Sequence, residues 1–441
     1  MRVLLPALLL MAGVAEPHAQ EAWTLRRCVE HAVEHNISVR QYENAVERQR
    51  VQLSTARNQR LPNLSASASE NINFGRSLTI DNTYANKTTN STSFSLGTSV
   101  PLFTGFSIPN NVKLNRLNLA AATADLEKAK NDIRVQVAQA YVQILYSMEI
   151  SEVAHRQVAI DSQQVARLQA LYDVGKASEA QLSQQKASLA QGQLTATQAD
   201  NSLQLALLSL SQLLELPSPE GFTIVKPVVD DTALQNKPIG EGPEAIYAEA
   251  VGTRPEVEAQ QLRLKVADRN IALAKANLYP QLSFSAGLGT NYFKTSGMYA
   301  ESFGSQMKHN FSQYLGLNLS YTIFNRLQTR NSIRTARIDY QNQLLALDNT
   351  KKTLYKEIQQ VYYNTVAARQ KLVSSQQAQV SAGDAFRLTT AKYEQGKANI
   401  TEFNEAKNNY LKTESDLTQA RYEFLYQQAL ILFYRGQELK F

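Results

Sequence analysis

Tyr172-x-x-Gly175-Lys176-Ala177-Ser178 returns 221 residues later, without a gap, as Tyr393-x-x-Gly396-Lys397-Ala398-Asn399. A long helix-like stretch follows each copy, and a pair of Ser-rich alternating segments precedes each. A repeat of this length is half a structure duplicated, not the unit of a solenoid. The copies cover about 20–217 and 244–441, and a connector at 218–243, richer in Pro and Gly, joins them.

Within the 441 residues the hydrophobic share is 43% and aromatics are 8%. That balance, rich in Ala, Gln, Leu, Asn and Ser, favours long helices with narrow apolar seams over one large core. The formal charge is +6, with Lys and Arg scattered among acids on helical faces and no basic block with interleaved aromatics. Nucleic acid is therefore not an expected partner. Cys28 is the single cysteine, which excludes an internal disulfide. Arg2 followed by the apolar run Val3 to Leu10 reads as a secretory signal; small residues offer cleavage after Ala15 or Ala19, of which Ala19 is the expected site. The run is too short to cross a bilayer as a helix.

Thr24 opens a helical pattern that places Leu25, Cys28, Val29, Ala32 and Val33 on one side and is expected to reach about Asn58. From Leu64 to Phe74 the period changes to two: Leu64, Ala66, Ala68, Glu70, Ile72 and Phe74 alternate with Ser65, Ser67, Ser69, Asn71 and Asn73. Phe94, Leu96, Val100 and Leu102 continue the pattern opposite Ser93, Ser95, Gly97 and Ser99, and the polar stretch between the two segments reads as a loop. The second half replays this with Leu282 to Tyr292, then with Leu315, Leu317, Leu319, Tyr321 and Ile323. Long helices are expected from Pro109 to about Asp173, Ser178 to Leu216, Glu244 to Leu278, past Phe324 to the second turn, and Ile400 to Tyr434. A helix of roughly 65 residues would be about 100 Å long and needs neighbouring helices throughout, consistent with coiled-coil seams such as Leu182, Leu189, Ala196, Leu203 and Leu210.

Four strands of roughly ten residues have the length that crosses a bilayer obliquely. Phe74, Phe103, Tyr292 and Phe324 near their ends suit a membrane interface. Lipid admits strands only in a closed barrel, because an open edge leaves backbone N–H and C=O groups without partners. Four strands cannot close alone; two chains would supply about eight, with a filled interior, and three about twelve, with a lumen.

With these residues in place, the chain resembles the TolC-like outer-membrane efflux proteins over almost its full mature length. The resemblance is carried by the opening Thr24-Leu25-x-x-Cys28-Val29-x-x-Ala32-x-x-x-Asn36 and by Leu61-Pro62-x-Leu64 with Tyr279-Pro280-x-Leu282. Pro101-Leu102-Phe103, Thr322-Ile323-Phe324 and both Tyr-x-x-Gly turns complete it. It implies a mainly α protein with membrane β structure. Coiled helices of a homotrimer would form an α-barrel in the periplasm, and four strands per chain would build a shared 12-stranded β-barrel. The connector and terminal segments would form a belt around the tunnel.

The implied function is a passive exit duct in the outer membrane of a Gram-negative bacterium, serving a tripartite efflux pump or type I secretion system. Its partners would be outer-membrane lipid, a periplasmic adaptor (membrane fusion protein) and an inner-membrane RND or ABC transporter. No enzymatic activity, cofactor or metal is expected. The other function class compatible with the helices is a periplasmic coiled-coil adaptor or scaffold without a barrel. The resemblance puts adaptor docking at the helix tips, with Tyr172, Gly175, Lys176, Tyr393, Gly396 and Lys397. It puts Glu402 and Glu405 around the periplasmic aperture, six carboxylates in a trimer favouring cations. A member of the family closes that aperture with an Arg–Asp latch; here Ala398 and Gln181 stand at those positions, leaving Lys176, Lys397 and Asp173 as candidate contacts.

One motif points elsewhere. His31-Ala-Val-Glu34-His35 matches an inverted zinc-protease signature, with two imidazoles four apart and Glu34 as base. The motif is short, lacks a defined third ligand, and lies on a helix the resemblance already accounts for.

Overall fold

The computed structural model describes residues 22–78, 81–227, 234 and 238–439. The expected signal segment and parts of the connector lie outside the described residues. The chain divides into two compact units: Met1–Arg40, Ala129–Ala250 and Tyr355–Phe441 form one, Gln41–Lys128 and Val251–Leu354 the other.

The second unit holds β1 (Asn63–Leu78), β2 (Tyr84–Thr104), β3 (Gln281–Thr295) and β4 (Ser312–Ser320) in one antiparallel sheet of order β1-β2-β3-β4. Period-two patterning sorts the side chains by face. Ala66 lies opposite Leu96, which lies opposite Leu288, while Ala286 faces Leu315 and Phe284 faces Leu317. Leu64 is 73% and Leu315 79% exposed, so a single chain leaves this apolar face uncovered. On the other face Ser67 bonds Ser95 and Ser69 bonds Ser93 across the strands, each at 2.7 Å. Tyr314 lies over Gly287, where an added Cβ would meet the ring at 2.6 Å. Glu70 sits within the apolar face and accepts a hydrogen bond from Thr92 Oγ1.

The strands depart from the expected bounds at both ends. The first hairpin extends through residues read as a loop, pairing Gly75 with Lys87 and Leu78 with Tyr84. Backbone rungs need no apolar side chain, so the ribbon outlasts its two-faced pattern. β4 ends at Ser320, leaving Tyr321 and Ile323 outside it. Ser320 pairs with Gln281, and the residue before Gln281 is Pro280, which has no N–H for a further rung. At the opposite end β3 outruns β4, whose first residue Ser312 faces Gly289. An unanticipated short helix, Phe303–His309, closes that edge. Its Gln306 side chain accepts from the Phe293 N–H at 2.9 Å and donates to the Phe293 carbonyl at 3.0 Å, standing in for a strand.

The helices described, in chain order, are α1 (Leu25–His35), α2 (Ile37–Asn58), α3 (Ser107–Asp173), α4 (Glu179–Leu213), α5 (Pro243–Ala250), α6 (Pro255–Ala276), α7 (Phe303–His309), α8 (Gln328–Glu394) and α9 (Ile400–Tyr434). Two breaks correct the sequence reading. The opening helix divides at Asn36, whose backbone is extended at ψ 131°. Asn36 accepts from the Ser38 N–H at 2.9 Å and donates to the Leu213 carbonyl at 3.1 Å, so it caps α2 and ties it to the end of α4. The helix beginning near Glu244 divides at Arg254, because Pro255 starts a new helix and disfavours helical geometry in the residue before it.

Trp23 pairs in parallel with Ile224 of the connector, and Tyr141 donates to the Val225 carbonyl at 2.6 Å. Trp23 and connector residues 223–225 therefore lie side by side against α3.

Candidate functional site: the paired helix tips

Both Tyr-x-x-Gly turns fold identically because each glycine supplies a left-handed residue. Gly175 has φ +71° and Gly396 φ +73°, and a Cβ on either would meet nothing within 4 Å. The glycines are thus required by backbone conformation and not by crowding. At the first tip the Gly175 N–H donates to the Tyr172 carbonyl and the Lys176 N–H to the Leu171 carbonyl, both 2.8 Å. At the second, Gly396 donates to Tyr393 at 3.0 Å and Lys397 to Lys392 at 2.8 Å. This is a Schellman ending, which satisfies the last carbonyls of α3 and α8.

The next helix begins three residues on. Ser178 Oγ accepts from the Gln181 N–H at 3.3 Å, and Gln181 Oε1 accepts from the Ser178 N–H at 3.0 Å, closing a capping box at α4. Asn399 Oδ1 accepts from the Glu402 N–H at 2.8 Å, and the Asn399 amide donates to Glu402 Oε1 at 2.8 Å. Gln181 and Glu402 are equivalent positions of the duplication, so Glu402 holds a helix start as well as carrying a charge. Glu402 and Glu405 are both exposed.

The side chains then distinguish the tips. Tyr172 and Val174 are 40% and 66% exposed. Tyr393 is half-buried, its ring stacked on Phe403 at 5.0 Å, with the Arg167 guanidinium 5.3 Å from its centroid. Burial pushes the Tyr393 hydroxyl pKa upward, and nearby Arg167 offsets part of that shift. Phe403 belongs to a core with Leu168, Leu182 and Ile400. Lys176, Lys397 and both glycines are exposed, so each tip presents a cation beside its turn.

Further along the bundle, α3, α4 and α9 share a polar node. Lys407 and Asp161, both fully buried, form an ion pair. Buried Gln185 donates to Asp161 Oδ1 at 3.0 Å and accepts from Asn404 at 3.0 Å. Sequence reasoning missed this node, whose partners lie 246 residues apart. Its pseudo-equivalents are Ala382 for Asp161 and the exposed Lys186 for Lys407, so the node joins the two halves and the duplication does not repeat it.

The His31 and His35 rings stack at 4.1 Å with planes 14° apart. Lone pairs in nearly parallel ring planes do not converge on one ion, and no group of three potential ligands occurs among the described residues. Burial, then His35, lowers the His31 pKa. Burial pushes the Cys28 thiol up to about 12, which leaves it unreactive in the fold.

The family model of the outer membrane efflux protein matches twice, over residues 28–215 and 246–435. The outer membrane protein TolC of Vibrio cholerae is 22% identical over 316 residues, covering 71% of this chain and 70% of that protein. The outer membrane protein OprJ of Pseudomonas aeruginosa is 23% identical over 405 residues, covering 88% and 79%. The CmeC outer membrane channel of Campylobacter jejuni superposes with a TM-score of 0.79 at 17% identity, covering 95% of this chain and 87% of that one.

Proposed function

The chain belongs to the outer membrane efflux protein family, and from that premise we propose that its helix tips form both the gated entrance and the docking surface of a trimeric exit duct. Proteins of this family are outer membrane channels of tripartite efflux pumps and not enzymes. The chain accordingly resides in the outer membrane of a Gram-negative bacterium, with its helices forming a periplasmic tunnel. The observation that carries the reading is the four-stranded sheet, exposed and apolar on one face, Ser- and Gly-lined on the other, with β1 and β4 at its two edges. Lipid tolerates such a sheet only when neighbouring copies pair with both edges, and three copies give twelve strands around a lumen.

Glu402 and Glu405 from three chains form the acidic ring at the entrance, and the Schellman tips seat the hairpin of a membrane fusion protein. The exposed Tyr172, Gly175 and Lys176 offer contact at the first tip. Gly396 and Lys397 do so at the second, where Tyr393 supports the turn from within. Either an RND or an ABC transporter fits upstream. Planar-bilayer recordings test the entrance: the Glu402→Gln, Glu405→Gln pair should lose most of its cation preference and divalent block. Unchanged selectivity would place the entrance elsewhere.

A further inference from the structure

The charges are not scattered once the fold sorts them. The strand-bearing unit holds 22 Lys and Arg against 12 Asp and Glu, a formal +10, which leaves −4 for the rest of the chain. No acid occurs between Glu47 and Glu70, Asp81 and Asp125, Asp268 and Glu301, or Glu301 and Asp339. Those stretches contain all four ends at which the sheet meets its helices.

At the first hairpin a cavity of about 580 Å³ lies between the end of α2, the last residues of β2 and the start of α3. Arg57, Arg60, Lys113 and Arg116 line it, and no acid does. Among the described residues none of these four has an ion-pair or side-chain hydrogen-bond partner. Its floor is apolar: Leu102 and Phe106 are 54% and 55% exposed, and Phe103 meets Phe106 edge-on at 5.2 Å. The second hairpin repeats the chemistry. Ile323 and Phe324, 90% and 75% exposed, are followed by Arg326, Arg330, Arg334 and Arg337, again with no acid among them.

We propose that these junctions bind anionic glycerophospholipid from the periplasmic leaflet, the phosphate on the cations and an acyl chain on the exposed Leu and Phe side chains. The inference rests on the outer-membrane channel reading. A soluble phosphate would use the cations and leave the apolar floor exposed, whereas a lipid satisfies both. Repetition at both hairpins, at the same end of the sheet, fits a leaflet that surrounds the barrel.

The test is native mass spectrometry of the detergent-extracted assembly, titrated with phosphatidylglycerol or with phosphatidylcholine of equal chain length. Phosphatidylglycerol should bind the wild type at least about tenfold more tightly, with Arg60→Gln weakening it about fivefold. Arg57→Gln, Arg60→Gln, Lys113→Gln and Arg116→Gln together should abolish the preference while assembly mass and single-channel conductance stay unchanged. Equal binding of the two lipids, a preference that survives the quadruple variant, or full displacement by millimolar inorganic phosphate would overturn the proposal. A monomeric mass before lipid is added would instead refute the channel reading, so the two failures are distinguishable.

Discussion

The two helix tips share one backbone and differ in what lies beneath it. Each ends a 67-residue helix in a Schellman turn and starts a 35-residue helix from a side-chain N-cap, closed into a full capping box at the first tip alone. Under the first, Leu182 fills the core and Tyr172 stands in solvent; under the second, Phe403 fills it and holds Tyr393 beneath Arg167. The buried Asp161–Lys407 pair adds a second difference, because it ties α3 of the first half to α9 of the second and the duplication does not repeat it. Duplication has kept the turn chemistry that the chain path demands and released the packing. One tip is free to present side chains to a partner while the other is braced from inside.

Substitutions at equivalent positions can break that comparison. The largest contrast is expected between Lys407→Ala and Lys186→Ala. The first strands a buried carboxylate and should cost about 3–5 kcal/mol, whereas the second, on an exposed face, should stay within about 0.5 kcal/mol. Thermal midpoints of the detergent-solubilised protein report both. Tyr393→Ala should cost about 2 kcal/mol through lost stacking and cation–π contact, and Tyr172→Ala almost nothing. If the first tip seats the adaptor, binding of a purified adaptor should show the reverse order. Gly175→Ala and Gly396→Ala should each lose about 1–2 kcal/mol, and equally, since both demand a left-handed residue in open space. Unequal losses would show that the surroundings also contribute.

The smallest expected stability effect is at Glu402. Gln181 already performs the capping role in the first half, so Glu402→Gln should leave the thermal midpoint unchanged while removing the charge. That variant separates helix capping from any electrostatic role at the entrance. A pH series sharpens the contrast between the tyrosines. Because the Tyr393 pKa is raised in the fold, its contribution is fully present below the ordinary tyrosine value of about 10 and is lost as pH rises through the folded value. Tyr393→Phe should flatten that alkaline decline, as followed by midpoints between about pH 9 and 11.

Much of this was legible in the sequence because the signals are local. Alternating Ser and Leu disclose the strands, and Gly396 following Tyr393 by three residues discloses a turn. The break at Asn36 was not legible, because helical periodicity runs through it, whereas Pro255 gave a local signal for the break at Arg254 that a reading by periodicity alone passes over. Asn36 breaks the helix by capping α2 and bonding the Leu213 carbonyl, a long-range contact. Helix α7, of seven residues, is too short to show a period, and its Gln306 has meaning only beside the bare edge of β3. The Asp161–Lys407 pair joins residues from opposite halves. Equally, the scattered-charge reading failed because only the fold separates a strand-bearing unit of +10 from the remainder.

The central claim is that one chain supplies a sheet whose two edges need other copies. Native mass spectrometry of the protein extracted from urea-washed outer membranes tests it most directly. The account expects a mass of three chains; a water-soluble single chain, released by urea without detergent, would contradict it.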